Sequence, residues 1–125
     1  MKKSPLLCPC GSNLIYEKCC GAFHQQQAIA PTAEALMRSR YSAYVFELTP
    51  YLLDSWHTSA RPATLEFTPQ LKWVGLDVIR HEQIDKDHAI VEFIARYKIN
   101  GRAHKMHEIS RFVLESGRWF YVDGE

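Results

Sequence analysis

All four cysteines of a 125-residue chain fall in one stretch, Cys8-Pro9-Cys10-Gly11-Ser12-Asn13-Leu14-Ile15-Tyr16-Glu17-Lys18-Cys19-Cys20-Gly21. The spacing C-x-C-x8-C-C requires a short loop that brings two close pairs of thiols face to face. Gly11-Ser12-Asn13 is turn chemistry suited to that reversal, since glycine takes positive φ at little steric cost. Residues 14–18 are expected to make a helical turn that delivers Cys19 and Cys20, with Gly21 ending it. Four soft thiolates suit a tetrahedral zinc ion. Two disulfides packed into one terminal knuckle would leave the rest of the chain unsupported, and adjacent Cys19 and Cys20 are awkward partners for each other. No signal peptide is visible, which points to a reducing compartment. The spacing is not one of the usual iron–sulfur runs either. The expected ligands are Cys8, Cys10, Cys19 and Cys20, with His24 as substitute if one cysteine points away. A closed set of four protein ligands leaves no position for substrate, so the zinc is expected to be structural. Without metal the knuckle should be disordered.

The strings Cys-Pro-Cys-Gly-Ser and Cys-Cys-Gly resemble the SEC-C motif, the small zinc module at the carboxyl end of the SecA translocation ATPase. In this sequence the resemblance places the ligands at Cys8, Cys10, Cys19 and Cys20, with cysteine at the last position where SecA has histidine. In SecA-like proteins the module docks partners, among them an export chaperone and the ribosome. The resemblance therefore implies a docking role for the knuckle.

Length sets the organisation: one domain plus a small appendage, read as a knuckle over 1–24 and a body over 31–125. The body is long enough to bury a core of its own. Net charge is +1 with acids and bases interleaved, which argues against a nucleic-acid-binding body, and Lys2 and Lys3 are too few for an electrostatic footprint. No apolar run approaches the ~20 residues of a membrane span. The expected location is cytoplasmic.

Along the chain, residues 23–29 are polar and aperiodic and read as a linker. Thr32 is the expected N-cap of a helix over 33–46, with Glu34 in its first turn and Leu36, Met37, Tyr41, Tyr44 and Val45 at helical spacing. Thr49-Pro50 begins a second, short helix carrying Tyr51, Leu52, Leu53 and Trp56. Residues 62–69 read as loop. Turn signals at Asp85-Lys86-Asp87, Asn100-Gly101 and Ser116-Gly117 then divide the remainder into strands over 72–84, 89–99, 102–115 and 118–123. Helices followed by a four-stranded antiparallel meander give an α+β fold with helices on one sheet face. Two-residue loops set the register: Phe93 faces Glu108, Ala95 faces Met106, and Phe112 faces both Ala89 and Tyr121. Val91, Tyr97, Leu114 and Trp119 join that face, as do Val74, Leu76, Val78 and Arg80 from the first strand. The polar exceptions on it are Arg80, Glu108 and Ser110.

This architecture resembles the cone-shaped nuclear transport factor 2-like fold. The strings Leu36-Met37-Arg38-Ser39-Arg40-Tyr41-Ser42-Ala43-Tyr44, Trp73-Val74-Gly75-Leu76 and Phe93-Ile94-Ala95-Arg96-Tyr97 are similar to the YchJ family. So are His107-Glu108-Ile109-Ser110-Arg111-Phe112 and Trp119-Phe120-Tyr121-Val122-Asp123-Gly124. With the cysteine knuckle, the resemblance spans nearly the whole chain. It implies a curved sheet with a pocket, and no known activity. Many members carry a second SEC-C motif after Tyr-Val-Asp-Gly, and residues up to Glu125 hold none.

Two functions from different classes are compatible with these residues. In the first, the knuckle docks a protein or ribosomal partner through Asn13, Leu14, Tyr16, Glu17 and Lys18. In the alternative, a small-molecule site or enzyme lies inside the cone, with Arg40, Tyr41, Tyr44, Glu108 and Arg111 as its residues and His57 as a shuttle. Binding is preferred to catalysis, since no phosphate loop, nucleophile elbow or paired-carboxylate signature occurs. A purely structural role for the same residues has Arg38 solvated, Arg40 paired with a core-edge carboxylate, and Glu108 paired with Arg80 or Arg40. Ile79, Ile94 and Ile109 on the outer face would serve a homodimer.

Overall fold

A computed structural model describes residues 6–125, so Lys2 and Lys3 lie outside the described residues. The knuckle opens with a minimal antiparallel ladder in which Leu7 bridges Ile15. Cys8 N–H donates to Leu14 O at 2.8 Å, and Tyr16 N–H to Leu6 O at 2.8 Å. Gly11 (φ 85°) and Asn13 (φ 67°) take the left-handed conformations that turn the chain between these strands. A 3₁₀ turn, Tyr16–Lys18, comes next, and α1 spans Cys20–His24. Gly21 therefore lies inside a helix rather than ending one. Its missing side chain lets α1 press against Tyr16, whose carbonyl oxygen would stand 2.7 Å from an added Cβ. The expected linker is likewise ordered at its start, where Phe23 and His24 complete α1.

Helix α2, Ala33–Val45, begins as expected: Thr32 Oγ1 accepts the Ala35 N–H at 3.0 Å. Helix α3, Thr49–Asp54, holds Pro50 in its first turn and stops before Trp56. Trp56 instead forms a parallel bridge to Tyr121, flanked by Tyr121 N–H to Ser55 O and His57 N–H to Tyr121 O. These bonds satisfy backbone groups of an edge strand that would otherwise face solvent.

The sheet is a meander of β1 Leu71–Asp85, β2 His88–Ile99, β3 Arg102–Glu115 and β4 Arg118–Gly124, in that order. Both later hairpins turn on consecutive positive-φ residues, Asn100 and Gly101, then Ser116 and Gly117. The pairs Phe93–Glu108, Ala95–Met106, Ala89–Phe112 and Phe112–Tyr121 stand opposite one another, as the loop lengths predict. Strand β1 differs. It is irregular between Trp73 and Gly75 and between Val78 and Arg80. Each extra residue reverses the facing of the strand beyond it. Trp73 and Leu76 thus face inward beside Tyr97 and Ala95, Val74 is left exposed, and Arg80 stands opposite Glu92 on the outer face.

Helix α2 crosses the inner face of this curved sheet. Leu36, Met37, Tyr41, Val91, Phe93, Ala95, Phe112 and Trp119 are buried there, and Cys8, Cys10 and Cys20 belong to the same apolar cluster. Each large side chain so buried contributes about 1.5–3 kcal/mol. The outer face is charged: Glu92 accepts from Arg80 at 2.7 Å and pairs with His107 at 2.6 Å, and Arg96 pairs with Asp77 at 2.9 Å. Ile79 is exposed among these groups, whereas Ile94 and Ile109 are half-buried. No helix among the described residues is long and apolar enough to cross a membrane.

Candidate metal centre and cavity

The sulfurs of Cys8, Cys10, Cys19 and Cys20 all lie within 4.8 Å of one another. Cys10 Sγ and Cys19 Sγ are 3.6 Å apart, and all four are free thiols. Zinc–sulfur bonds of ~2.3 Å in a tetrahedron put sulfurs about 3.8 Å apart, so the tetrad already has the size of a four-thiolate metal site. Hydrogen bonds from Cys10 and Cys20 pull Cys8 well below the ordinary thiol range, while the same crowding, Cys10 first, pushes Cys20 far up. A thiolate so placed opposes a second one beside it. A divalent cation at the centre removes that conflict.

Around the sulfurs, Ser12 Oγ lies 3.2 Å from Cys19 Sγ and Ser42 Oγ 3.5 Å from Cys8 Sγ. Arg38 Nη1 donates to Cys10 O at 2.7 Å, and its Nε to Glu34 at 2.9 Å, so Arg38 is a strut to the knuckle rather than a solvated side chain. His24 stands outside the tetrad. Its Nε2 donates to Ser39 O at 2.8 Å and its Nδ1 accepts from Tyr16 Oη at 2.6 Å, leaving no nitrogen for a metal. Tyr16 is thereby also withdrawn from the knuckle surface, its ring edge-on to Phe46 at 5.0 Å. Asn13, Leu14, Glu17 and Lys18 remain exposed.

On the other side of α2, between it and the sheet, is a cavity of about 280 Å³. Met37, Arg40, Tyr41 and Tyr44 line it from α2, Trp73, Phe93, Ala95, Met106 and Phe112 from the sheet, and Glu108, Ser110 and Tyr121 complete it. Four of the five residues expected inside the cone are there. Arg111 is not: it projects from the outer face and pairs with Asp123 at 2.6 Å and Glu125 at 3.3 Å. His57 also lies outside the cavity, 3.2 Å from Glu115. Among the described residues no ion pair joins Glu108 to Arg80 or to Arg40. Glu108 instead accepts from Ser110 Oγ, and Gly124 packs so close to its carboxylate that a Cβ there would collide with it.

Arg40 is 5% exposed. Its Nη1 donates to Leu52 O at 2.8 Å and Ser55 Oγ at 2.6 Å, in place of the expected carboxylate partner. The guanidinium carbon lies 4.4 Å from the Tyr121 ring centroid and 4.9 Å from that of Trp56. Burial lowers the Arg40 pKa. Burial also pushes the Tyr41 and Tyr121 hydroxyls up to about 12, with the Glu108 charge adding to the effect at Tyr121. Trp73, Phe93 and Phe112 are legible in the sequence as apolar residues but not as cavity walls, because only the spacing between helix and sheet decides whether they touch across it.

Comparison with known proteins agrees with both halves of this arrangement. Residues 32–124 match the family model described as YchJ, middle NTF2-like domain, and residues 6–22 match the SEC-C motif. A UPF0225 protein of Cupriavidus metallidurans is 54% identical over 127 residues, covering 97% of this chain and 89% of its own. One from Bordetella parapertussis is 50% identical over 131 residues, with 100% and 98% covered. The solution structure of a SEC-C motif containing protein from Rhodopseudomonas palustris superposes with a TM-score of 0.86 at 31% identity, covering 96% of this chain and 98% of that one. A crystal structure of a SEC-C motif containing protein from Psychrobacter arcticus gives 0.80 at 30% identity, with 93% and 80% covered. A thiol knuckle clasped to a helix that roofs a curved four-stranded sheet, matched over nearly its full length, places this chain in the YchJ family of SEC-C motif proteins.

Proposed function

We propose that this protein is a small-molecule receptor whose cone is braced by a structural zinc ion. The observation that carries the reading is the partly enclosed, largely aromatic cavity beneath α2, the same helix to which the thiol tetrad is bonded. Cavities that combine apolar walls with a few convergent polar groups are where proteins hold small ligands. The knuckle, on this reading, serves the cavity: four thiolates close around zinc, and the metal fixes the segment that grips α2 through Arg38 and Ser42. Elemental analysis of reduced, natively purified protein should find one zinc per chain. Benzyl alcohol, a neutral aromatic probe, should show saturable binding by saturation-transfer NMR. Ala95→Phe, which places a ring into the cavity from a residue that is 1% exposed, should abolish it. Undiminished binding in that variant would defeat the reading.

A second reading is favoured by one observation at the knuckle. Leu6, Leu7 and Leu14 are 60%, 58% and 54% exposed next to the tetrad, an unusual display of apolar surface for so small an element. These leucines would dock an apolar segment of a protein partner. Leu7→Ser with Leu14→Ser should then lose a partner that the wild-type protein retains, with zinc content unchanged. An unaltered set of partners would exclude it.

A further inference from the structure

Arg40 presents a problem that its protein neighbours only half solve. A cation buried to this degree is costly unless an anion or a full set of acceptors replaces its water. Nη1 is satisfied twice, by Leu52 O and Ser55 Oγ. Nε and Nη2 have no hydrogen-bond partner among the described residues. No buried side-chain nitrogen or oxygen of the described residues lacks a partner, so these two groups keep some accessible surface, and Arg40 is a lining residue of the cavity. The Tyr121 and Trp56 rings offset part of the charge through their faces, which leaves the in-plane N–H edge for something else. A guanidinium edge matches a carboxylate with two parallel hydrogen bonds.

The rest of the cavity narrows the choice. Its surface is mainly apolar, with Trp73, Phe93 and Phe112 among its aromatic walls. Its second charged group, Glu108, holds Ser110 Oγ on one oxygen and acts on Arg40 through space, so a ligand carboxylate must meet Arg40 away from Glu108 and a second anionic group would meet its repulsion. At about 280 Å³ the cavity is at the small end of ligand sites.

We infer that the cavity is a site for a small monocarboxylic acid with an aromatic or similarly apolar body, its carboxylate held by the free edge of Arg40. This rests on the receptor reading above and adds the ligand's chemical class. A hydroxyl or amino group on the ligand would find Glu108 as acceptor. A dicarboxylate would not fit the charge of the site.

The experiment uses the zinc-loaded full chain and four probes of similar shape: 3-phenylpropionate, 3-phenyllactate, 3-phenylpropanamide and phenylsuccinate. Binding is read by tryptophan fluorescence and by backbone amide shifts. The two monoacids should bind at one saturable site, with the amide at least about tenfold weaker, because hydrogen bonds to a charged group are the ones lost. Phenylsuccinate should also be weaker than the monoacids. Arg40→Lys keeps the charge but loses the planar fork, and should weaken phenylpropionate about tenfold while leaving the amide unchanged, with near-ultraviolet circular dichroism confirming the fold. If amide and acid bind the wild-type protein equally, the carboxylate assignment is wrong while the receptor reading stands. If no probe, benzyl alcohol included, shifts any cavity residue, both are wrong. The wild-type probe series decides the question even if Arg40→Lys does not fold.

Discussion

Gly21→Ala is a perturbation whose sign separates local propensity from packing. In an isolated helix alanine is favoured over glycine by about 1 kcal/mol. At position 21 the new methyl would stand 2.7 Å from the Tyr16 carbonyl oxygen and 3.1 Å from its ring Cε2. Carbon–oxygen contacts need about 3.3 Å, so α1 and the 3₁₀ turn must separate by roughly 0.6 Å. Tyr16 has little freedom to give way. Its carbonyl accepts the Cys19 N–H at 3.0 Å, its hydroxyl holds His24, and its ring packs on Phe46. Forced overpacking of this kind costs about 1–3 kcal/mol, and a five-residue helix recovers little of the propensity gain. The expected net loss is about 1–2 kcal/mol, or a melting temperature lower by roughly 4–8 °C. Moving Tyr16 O also drags the Cys19 amide, so the zinc proposed for the tetrad should pass to a chromophoric chelator at about tenfold lower chelator concentration. Thermal unfolding with zinc present and chelator competition measure the two effects. A variant that melts at or above the wild-type temperature, with zinc retained as before, would refute the packing argument.

Phe112→Ala empties the middle of the inner face, where Phe112 is almost wholly buried, and should cost about 3–5 kcal/mol in urea unfolding. Burial lowers the pKa of His24 below its ordinary 6.5, so the unfolded chain takes up that proton first. The contribution is present above pH 6.5 and is lost as pH falls from 6.5 through the folded-state value, and imidazole NMR should show His24 more neutral than charged at pH 6.5. Arg111→Ala removes only exposed pairs with Asp123 and Glu125, and should leave melting and probe binding unchanged.

What the sequence makes legible divides by mechanism. The register of β2, β3 and β4 can be read because Asn100-Gly101 and Ser116-Gly117 admit two-residue turns, which fix the pairs behind them, in β3 and β4 as far as the shift between Phe112 and Arg111. Strand β1 has no such pin, and its irregularities at Val74 and Ile79 depend on how the strand bends around α2, which alternation does not encode. Unbroken alternation therefore turns Arg80 toward the core, where the structure does not put it. Arg111 is a different kind of miss. Its neighbours Ser110 and Phe112 both point inward, so strand alternation alone places it outside. Helix α1 escapes because five residues containing a glycine carry no periodic signal, and tertiary contact with Tyr16 forms it. The thiol tetrad is visible because ligand chemistry is written in residue type and spacing. Arg40 can be singled out as an oddity on an apolar seam, but its open edge depends on where Leu52 O and Ser55 Oγ lie.

Helix α2 carries Arg38 and Ser42 toward the thiols and Arg40, Tyr41 and Tyr44 toward the cavity, all within about two turns. One rigid rod is thus held from both flanks. If the thiols hold a metal and the cavity a ligand, as proposed, and each biases the position of α2, thermodynamic reciprocity makes that influence equal in both directions. On that proposal, loss of the metal would weaken the grip inside the cone, and a filled cone would tighten the hold on the metal by the same factor.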